Sequence, residues 1–182
     1  ALYGLASALS QDGEARLSLF YTRLAEYLRP DFTDAALLSA EILENEEQYE
    51  LAVKAYESIS TDSPLSRSAQ IGRAEALYRL EENDKAVEAL TTLARFEPEA
   101  VDVHLALGDL MCRLKRFEEG AVAYDAAIKL MAAKGRENWV PFYERGICYE
   151  RSDQWELAEA DFRKALELKP DQPLVLNYLG YS

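Results

Sequence analysis

Few side chains in this 182-residue sequence have the type and spacing to do chemistry. The one histidine, His104, would need positioned partners to act as a general base, and none accompanies it. It reads as a packed or half-exposed structural residue. Cys112 and Cys148 do not form a metal-ligand pattern and read as buried free thiols, with a disulfide open if their geometry permits one. Glycine-rich phosphate loops, HExxH, a nucleophile elbow and a calcium loop are all missing from the sequence. Carboxylates are the remaining candidates. Glu41, Glu75 and Asp109 recur 34 residues apart, and Arg79 and Arg113 follow the last two by four residues. That acid-first order stabilises a helix by roughly 0.2–0.5 kcal/mol per pair. These carboxylates are therefore either a recognition stripe or a wall of self-paired, solvated charge. The chain reads as non-enzymatic, with no catalytic, cofactor or metal residues.

The elements that position these groups follow from the same period. Pro30, Pro64 and Pro98 stand every 34 residues and close the phrases LAEYLRP, YESISTDSP and TLARFEP. KALELKP ends at Pro170, and AAIKLMA falls in phase at Ala132 without the proline. One column is small: Ala6, Ala40, Ala74, Gly108, Gly146, Gly180. A second small column holds Ser18, Ala52, Ala86, Gly120 and Ala158, followed four residues on by Tyr56, Leu90, Tyr124 and Phe162, with Thr22 as the weak member. Steps of three and four residues inside each half-unit predict two helices per unit. Turn clusters such as QDG, ENEEQ, EEND and RSDQ separate them, and proline closes the second helix. Small residues let the two backbones approach while bulky ones fill the space between. A lone hairpin leaves apolar surface exposed, so neighbours must stack.

These columns resemble the tetratricopeptide repeat, a helix-turn-helix unit of this period. The resemblance covers essentially the whole chain. It is cleanest in the fifth unit, at Gly146, Tyr149, Ala158, Phe162, Ala165 and Pro170, and weakest in the first, at Ala6, Ala25 and Pro30. It implies an all-α fold, a right-handed superhelical solenoid of stacked antiparallel helix pairs with about 11 helices. One domain over 1–182 is expected, with units near 1–32, 33–66, 67–100, 101–138 and 139–172 and a half-unit at 173–182. Ala1 and the stop inside a repeat suggest a fragment of a longer chain. Ser39, Arg73 and Arg145 depart from the pattern where leucine is usual, predicting looser packing or snorkelling arginines. Gly108 to Gly146 spans 38 residues instead of 34. About one extra helical turn is predicted in the fourth unit's second helix, running to Lys134 and stopping at Gly135, with Asn138 capping the next. A flexible loop over 134–138 is the alternative.

What the resemblance implies about function is a concave groove lined by first helices. Three stripes carry over: Tyr3, Leu37, Ile71, Leu105 and Tyr143; Ser7, Glu41, Glu75 and Asp109, then Ile147 and Tyr181; and Gln11, Asn45, Arg79, Arg113 and Arg151. Glu44, Tyr78, Cys112 and Glu150 lie alongside. Some family members grip a chaperone's C-terminal carboxylate there, but Glu41, Glu75 and Asp109 would repel such a tail. The expected partner is a protein or peptide, mixed or basic in charge, with apolar anchors docked over Leu37, Ile71 and Leu105. A net charge of −13 argues against nucleic acid and anionic membranes. No apolar run is long enough for direct membrane insertion. Leu174, Leu176, Tyr178 and Leu179 should form a closing helix whose outer face permits self-association. The first reading is thus a protein-interaction scaffold. The alternatives are a structural spacer or self-assembly segment, and targeting repeats of an enzyme such as a glycosyltransferase whose catalytic domain lies elsewhere. The style of the repeats looks bacterial. The compartment, cytoplasmic or periplasmic, stays open.

Overall fold

The structure, a computed structural model, describes residues 1–180. Tyr181, which the sequence places on the second stripe, lies outside them. The described residues form eleven helices and no strand. They run α1 Leu2–Gln11, α2 Ala15–Leu28, α3 Thr33–Asn45, α4 Tyr49–Glu57, α5 Ser66–Arg79, α6 Asn83–Phe96, α7 Val101–Arg113, α8 Phe117–Ala133, α9 Val140–Arg151, α10 Trp155–Leu168 and α11 Pro173–Gly180. Odd-numbered helices are the first of each pair.

Each hairpin turns by the same backbone device. Gly13, Glu47, Glu81, Lys115 and Asp153 all adopt positive φ, between 58° and 81°. In each turn the next amide reaches back to a carbonyl five residues earlier, as in Gln48 N to Leu43 O at 2.8 Å and Arg116 N to Met111 O at 2.8 Å. The left-handed residue's own amide closes the inner bond, as in Glu47 N to Glu44 O at 3.0 Å. This is the Schellman arrangement, which satisfies the last carbonyls of the first helix. Only Gly13 occupies that position with the residue type that adopts it freely.

The ends of the second helices follow the prolines in α2, α6 and α10, which stop at Leu28, Phe96 and Leu168. The helix α4 ends at Glu57, well before Pro64. Serine chemistry explains the early stop. Ser58 Oγ donates to Ala55 O at 2.7 Å, while Ser60 and Ser63 accept the amides of Asp62 and Leu65 at 3.2 and 3.1 Å. Such local side-chain bonds compete with helix. In the fourth unit α8 runs 17 residues to Ala133. Gly135 (φ 61°) and the bond from Arg136 N to Met131 O, 2.9 Å, terminate it as another Schellman turn. Asn138 Oδ1 then accepts the Val140 amide at 2.9 Å, at the entry to α9.

The chain divides into two compact units, Ala1–Leu93 and the residues from Ala94 onward. In the first, alanine does most of the close packing. Ala40, Ala52, Ala55, Ala69 and Ala76 surround Leu43, Tyr56 and Ile59. Its buried polar atoms are hydroxyls. Ser18 Oγ donates to Ala6 O at 2.7 Å. Ser39 Oγ donates to Glu26 Oε1 at 2.5 Å and sits 2.7 Å from Thr22 Oγ1. The departure at Ser39 is thus a hydrogen-bonded site, not a loose one.

In the second unit aromatic rings fill the core. Phe162, fully buried, lies between Tyr143, Trp155 and Tyr178 at centroid separations of 6.2, 6.3 and 5.1 Å. A Cβ on Gly146 would stand 2.7 Å from the Phe162 ring, so the small column is there to admit it. Arg145 does not snorkel. Its guanidinium grips Asp161 through two bonds of 2.7 Å and reaches Asp125 at 2.9 Å. Asp161 is only 5% exposed, and burial of a carboxylate is tolerable because this partner neutralises it. Arg73, by contrast, makes a more exposed pair with Glu57 at 3.0 Å.

The two cysteines overturn the free-thiol expectation. Cys112 and Cys148 form a disulfide that ties α7 to α9, with their Cα atoms 6.3 Å apart. Gly120 of α8 leaves room for it, since a Cβ there would come within 2.4 Å of Cys112 Sγ.

Candidate functional site

The sequence-selected residues all sit on first helices: Leu37, Glu41 and Glu44 on α3; Ile71, Glu75, Tyr78 and Arg79 on α5; Leu105, Asp109 and Arg113 on α7; Tyr143, Ile147 and Arg151 on α9. Helical periodicity puts Leu37, Glu41 and Glu44 on one face, and likewise Leu105 and Asp109. Leu37, Ile71 and Leu105 are half-buried, leaving part of each side chain to a partner, while Glu41, Asp109, Arg113 and Arg151 are exposed. Tyr143 does not join the open stripe. It is 9% exposed and packs its ring against Trp139, Phe162 and Tyr178, so it belongs to the core. Ile147 also packs against that core. Arg151 Nε lies 3.3 Å from Glu150 Oε2. His104, near the start of α7, pairs its Nε2 with Pro98 O at 2.9 Å, a structural contact.

In the first unit the faces of α3 and α5 enclose a concavity of about 220 Å3, lined by Glu44, Asn45, Glu47, Tyr49, Glu75 and Arg79. Arg79 donates to Tyr49 Oη through Nε (3.2 Å) and Nη2 (3.0 Å), its guanidinium 5.4 Å from that ring's centre. Tyr56, from the bulky column of α4, reaches through to donate to Glu44 Oε2 at 2.6 Å. Burial pushes the Glu44 carboxyl above the ordinary glutamate range. The Tyr56 hydroxyl and Arg79 pull against that shift, and Glu75 adds to it. Glu41, exposed at its surface but partly shielded from water by its neighbours, is raised as well, by that shielding and then by Glu44.

In the second unit α7, α8 and the start of α9 line a larger concavity of about 410 Å3. Leu105, Trp139, Val140 and Pro141 supply apolar walls, with Asn138, and Asp109, Glu144 and the Tyr124 hydroxyl supply the polar atoms. Tyr124 donates to Asp109 Oδ1, so both tyrosines of the bulky column end on a carboxylate of a first helix. Burial raises Glu144, and the neighbouring Asp109 charge raises it further. Tyr124 itself is held neutral by burial and by the carboxylate that accepts its proton.

Sequence reasoning missed Tyr56, Tyr124, Trp139, Pro141 and Glu144. The two tyrosines are packing residues in the repeat pattern, and only their depth shows that the hydroxyls emerge on the first-helix face. Trp139 and Pro141 follow the four-residue insertion, so no column predicts them.

Among the described residues no group of three or more His, Cys, Asp or Glu side chains is placed to hold a metal ion. None of the described helices is long and apolar enough to cross a membrane.

Two family models, both described as tetratricopeptide repeat, match the chain, one over residues 37–92 and 71–134 and the other over 140–172. Human tetratricopeptide repeat protein 13 is 25% identical over 157 residues, covering 84% of this chain. The chain spans 18% of that relative's length. Among solved structures, YrrB, a TPR protein with an unusual peptide-binding site, is 18% identical with a TM-score of 0.71, covering 98% of this chain and 90% of its own. MamA of Desulfovibrio magneticus RS-1 is 18% identical with a TM-score of 0.75, covering 94% and 95%. TTC0263, a thermophilic TPR protein of Thermus thermophilus, is 17% identical with a TM-score of 0.71, covering 98% and 96%. At these identities the solved structures establish the fold.

Proposed function

This chain belongs to the tetratricopeptide-repeat family, and we propose from that premise that it is a non-catalytic scaffold for protein–protein interaction. Its first-helix faces take peptide or partner-helix segments of mixed or basic charge, anchored by apolar side chains over Leu37 and Ile71 in the first unit and over Leu105 in the second. One observation carries this reading. In both units carboxylates stand beside half-buried apolar residues on the first helices, and Glu41, Glu44 and Glu144 are all raised in pKa by burial. A carboxylate whose charge is disfavoured by its surroundings is relieved by an incoming cation. YrrB supplies a precedent for peptide binding on this fold.

The test is affinity capture on the chain and on its Glu41→Lys/Glu75→Lys/Asp109→Lys variant, after both show equal helicity. Proteins retained by the parent and lost by the variant place recognition on these faces. Equal retention by both removes the first-helix reading.

A second reading, self-association through α11, draws on the exposure of Leu174 (58%) and Leu176 (47%) beside the fully buried Val175. Sedimentation of Leu174→Asp/Leu176→Asp against the parent tests it. A concentration-dependent dimer that the variant abolishes is the supporting outcome, and a monomer in both discards it.

A further inference from the structure

The acidic concavity of the second unit differs from that of the first in one decisive respect. Around Tyr49 the molecule supplies its own cation, Arg79, set among Glu44, Glu47 and Glu75. Around Tyr124 no cationic side chain among the described residues lines the concavity. Asp109 is engaged by the Tyr124 hydroxyl, and Arg113, one turn further along α7, acts on that tyrosine electrostatically. Glu144 has a second carboxylate, Asp109, as the charged neighbour that shifts it. The walls beside it are aliphatic and aromatic, Leu105, Val140, Pro141 and Trp139. Lys169 lies over the Trp139 ring at 5.6 Å but is not a lining residue.

We infer that this concavity takes an arginine side chain of a partner peptide, its guanidinium shared by Glu144 and Asp109 and its aliphatic stem laid on Leu105, Val140 and Pro141. The shape of the ligand follows from the walls. An apolar lining with carboxylates set into it suits a long side chain whose methylenes are buried and whose head is charged. Two carboxylates carried by different helices favour a planar group with several donors over the single point charge of lysine. The volume of about 410 Å3 is enough for the arginine together with an apolar neighbour on the peptide. The disulfide between Cys112 and Cys148 holds α7 and α9, which carry Asp109 and Glu144, in one spacing. This inference rests on the scaffold reading above and assigns a residue type to one of its subsites.

The experiment uses protein labelled with 5-fluorotryptophan, whose two fluorine signals, from Trp139 and Trp155, are assigned with Trp155→Phe. The probes are acetylated pentapeptides with a central arginine flanked by leucine, isoleucine, valine or phenylalanine, and the same peptides with citrulline, which keeps the shape and lacks the charge. The expected result is a saturable shift of the Trp139 signal with at least one arginine peptide, and an unmoved Trp155 signal. Citrulline, or Glu144→Gln in the protein, should weaken binding about tenfold or more, the scale of one charge-assisted hydrogen bond. The Glu144→Gln protein keeps its fold, since it loses a repelled charge, and its helicity checks this. Equal binding of arginine and citrulline peptides, or no saturable shift with any of them, overturns the assignment. If that happens while charge reversal still abolishes protein capture, only this subsite fails and the scaffold reading stands. If capture is also unchanged, both fail.

Discussion

From Ala1 to Leu93 helices approach mainly on alanine, with Gly72 admitting the Tyr56 ring, and the buried polar atoms are hydroxyls of Ser18, Thr22 and Ser39. From Ala94 onward glycines admit aromatic rings and a disulfide, and the buried polar group is an ion pair of Arg145 with Asp161. Both units use the same turn, and the same period apart from the four residues added in the second around α8, so these are two chemistries for one packing problem. The alanine solution needs fewer special partners, Gly72 with Tyr56 being one. The glycine–aromatic solution fills more volume but depends on particular pairs, because a ring that requires Gly146 cannot be moved to a unit that has alanine there. The second unit should therefore be the more sensitive to single substitutions.

The largest expected break is at Arg145. Arg145→Met leaves Asp161 buried without its bidentate partner and should cost about 3–5 kcal/mol in chemical denaturation. Arg145→Met/Asp161→Leu should recover most of that, since an apolar pair of similar volume removes the stranded charge. In the first unit Ser39→Ala removes one hydroxyl from a partly accessible network and should cost about 1–2 kcal/mol. A loss at Ser39 equal to that at Arg145 would erase the contrast between the units.

Reducing the Cys112–Cys148 disulfide should destabilise by about 2–4 kcal/mol, because the unfolded chain regains the freedom of a loop spanning 36 residues. Amide exchange in the reduced protein should quicken in α7 and α9 and stay unchanged in α3 and α5. Uniform quickening would contradict a stabilisation confined to the second unit.

The turns sharpen the comparison from the other side, since here the units are alike. Glu47→Gly and Lys115→Gly each relieve a left-handed residue, worth about 1–2 kcal/mol, less the roughly 0.5–1 kcal/mol of added chain freedom. Each should raise stability by up to about 1.5 kcal/mol, by the same amount in both units, as read from the denaturation midpoint.

The smallest effect concerns pH. Glu41, Glu44 and Glu144 have folded pKa values above the ordinary 4.5, so the folded chain holds protons that the unfolded chain releases. Their contribution favours folding below about pH 4.5 and is lost as pH rises through their folded values. Glu41→Gln/Glu44→Gln/Glu144→Gln should raise Tm by a few degrees at neutral pH and leave it nearly unchanged at about pH 4. The reverse order would place these carboxylates in favourable pairs.

Much of this architecture was legible in the residues. The 34-residue columns predicted two helices per unit, and the glycine at 135 predicted where α8 stops, because helix periodicity and left-handed caps are local. The disulfide was not legible. Cys112 and Cys148 fall in different columns, so the repeat pattern does not pair them, and the lengthened α8 lies between their helices in the chain. Nor was the burial of Tyr143, which shares a column with half-buried Leu37 and Leu105 but has Trp139 and Tyr178 packed over it. The sequence put Glu41, Glu75 and Asp109 at equivalent positions of three first helices, and each residue does lie on its first helix. The hydroxyls of Tyr56 and Tyr124 that reach first-helix carboxylates were not legible, since a repeat column records bulk and not where a side chain ends.

The claim that first-helix faces carry recognition is tested most directly by site-specific photocrosslinking to a captured partner. Benzoylphenylalanine would replace Leu37, Ile71 or Leu105 on first helices, and the exposed Leu51, Val122 or Leu157 on second helices. The account predicts crosslinks from the first set and none from the second. Crosslinks from Leu51, Val122 or Leu157, with none from Leu37, Ile71 or Leu105, would contradict it.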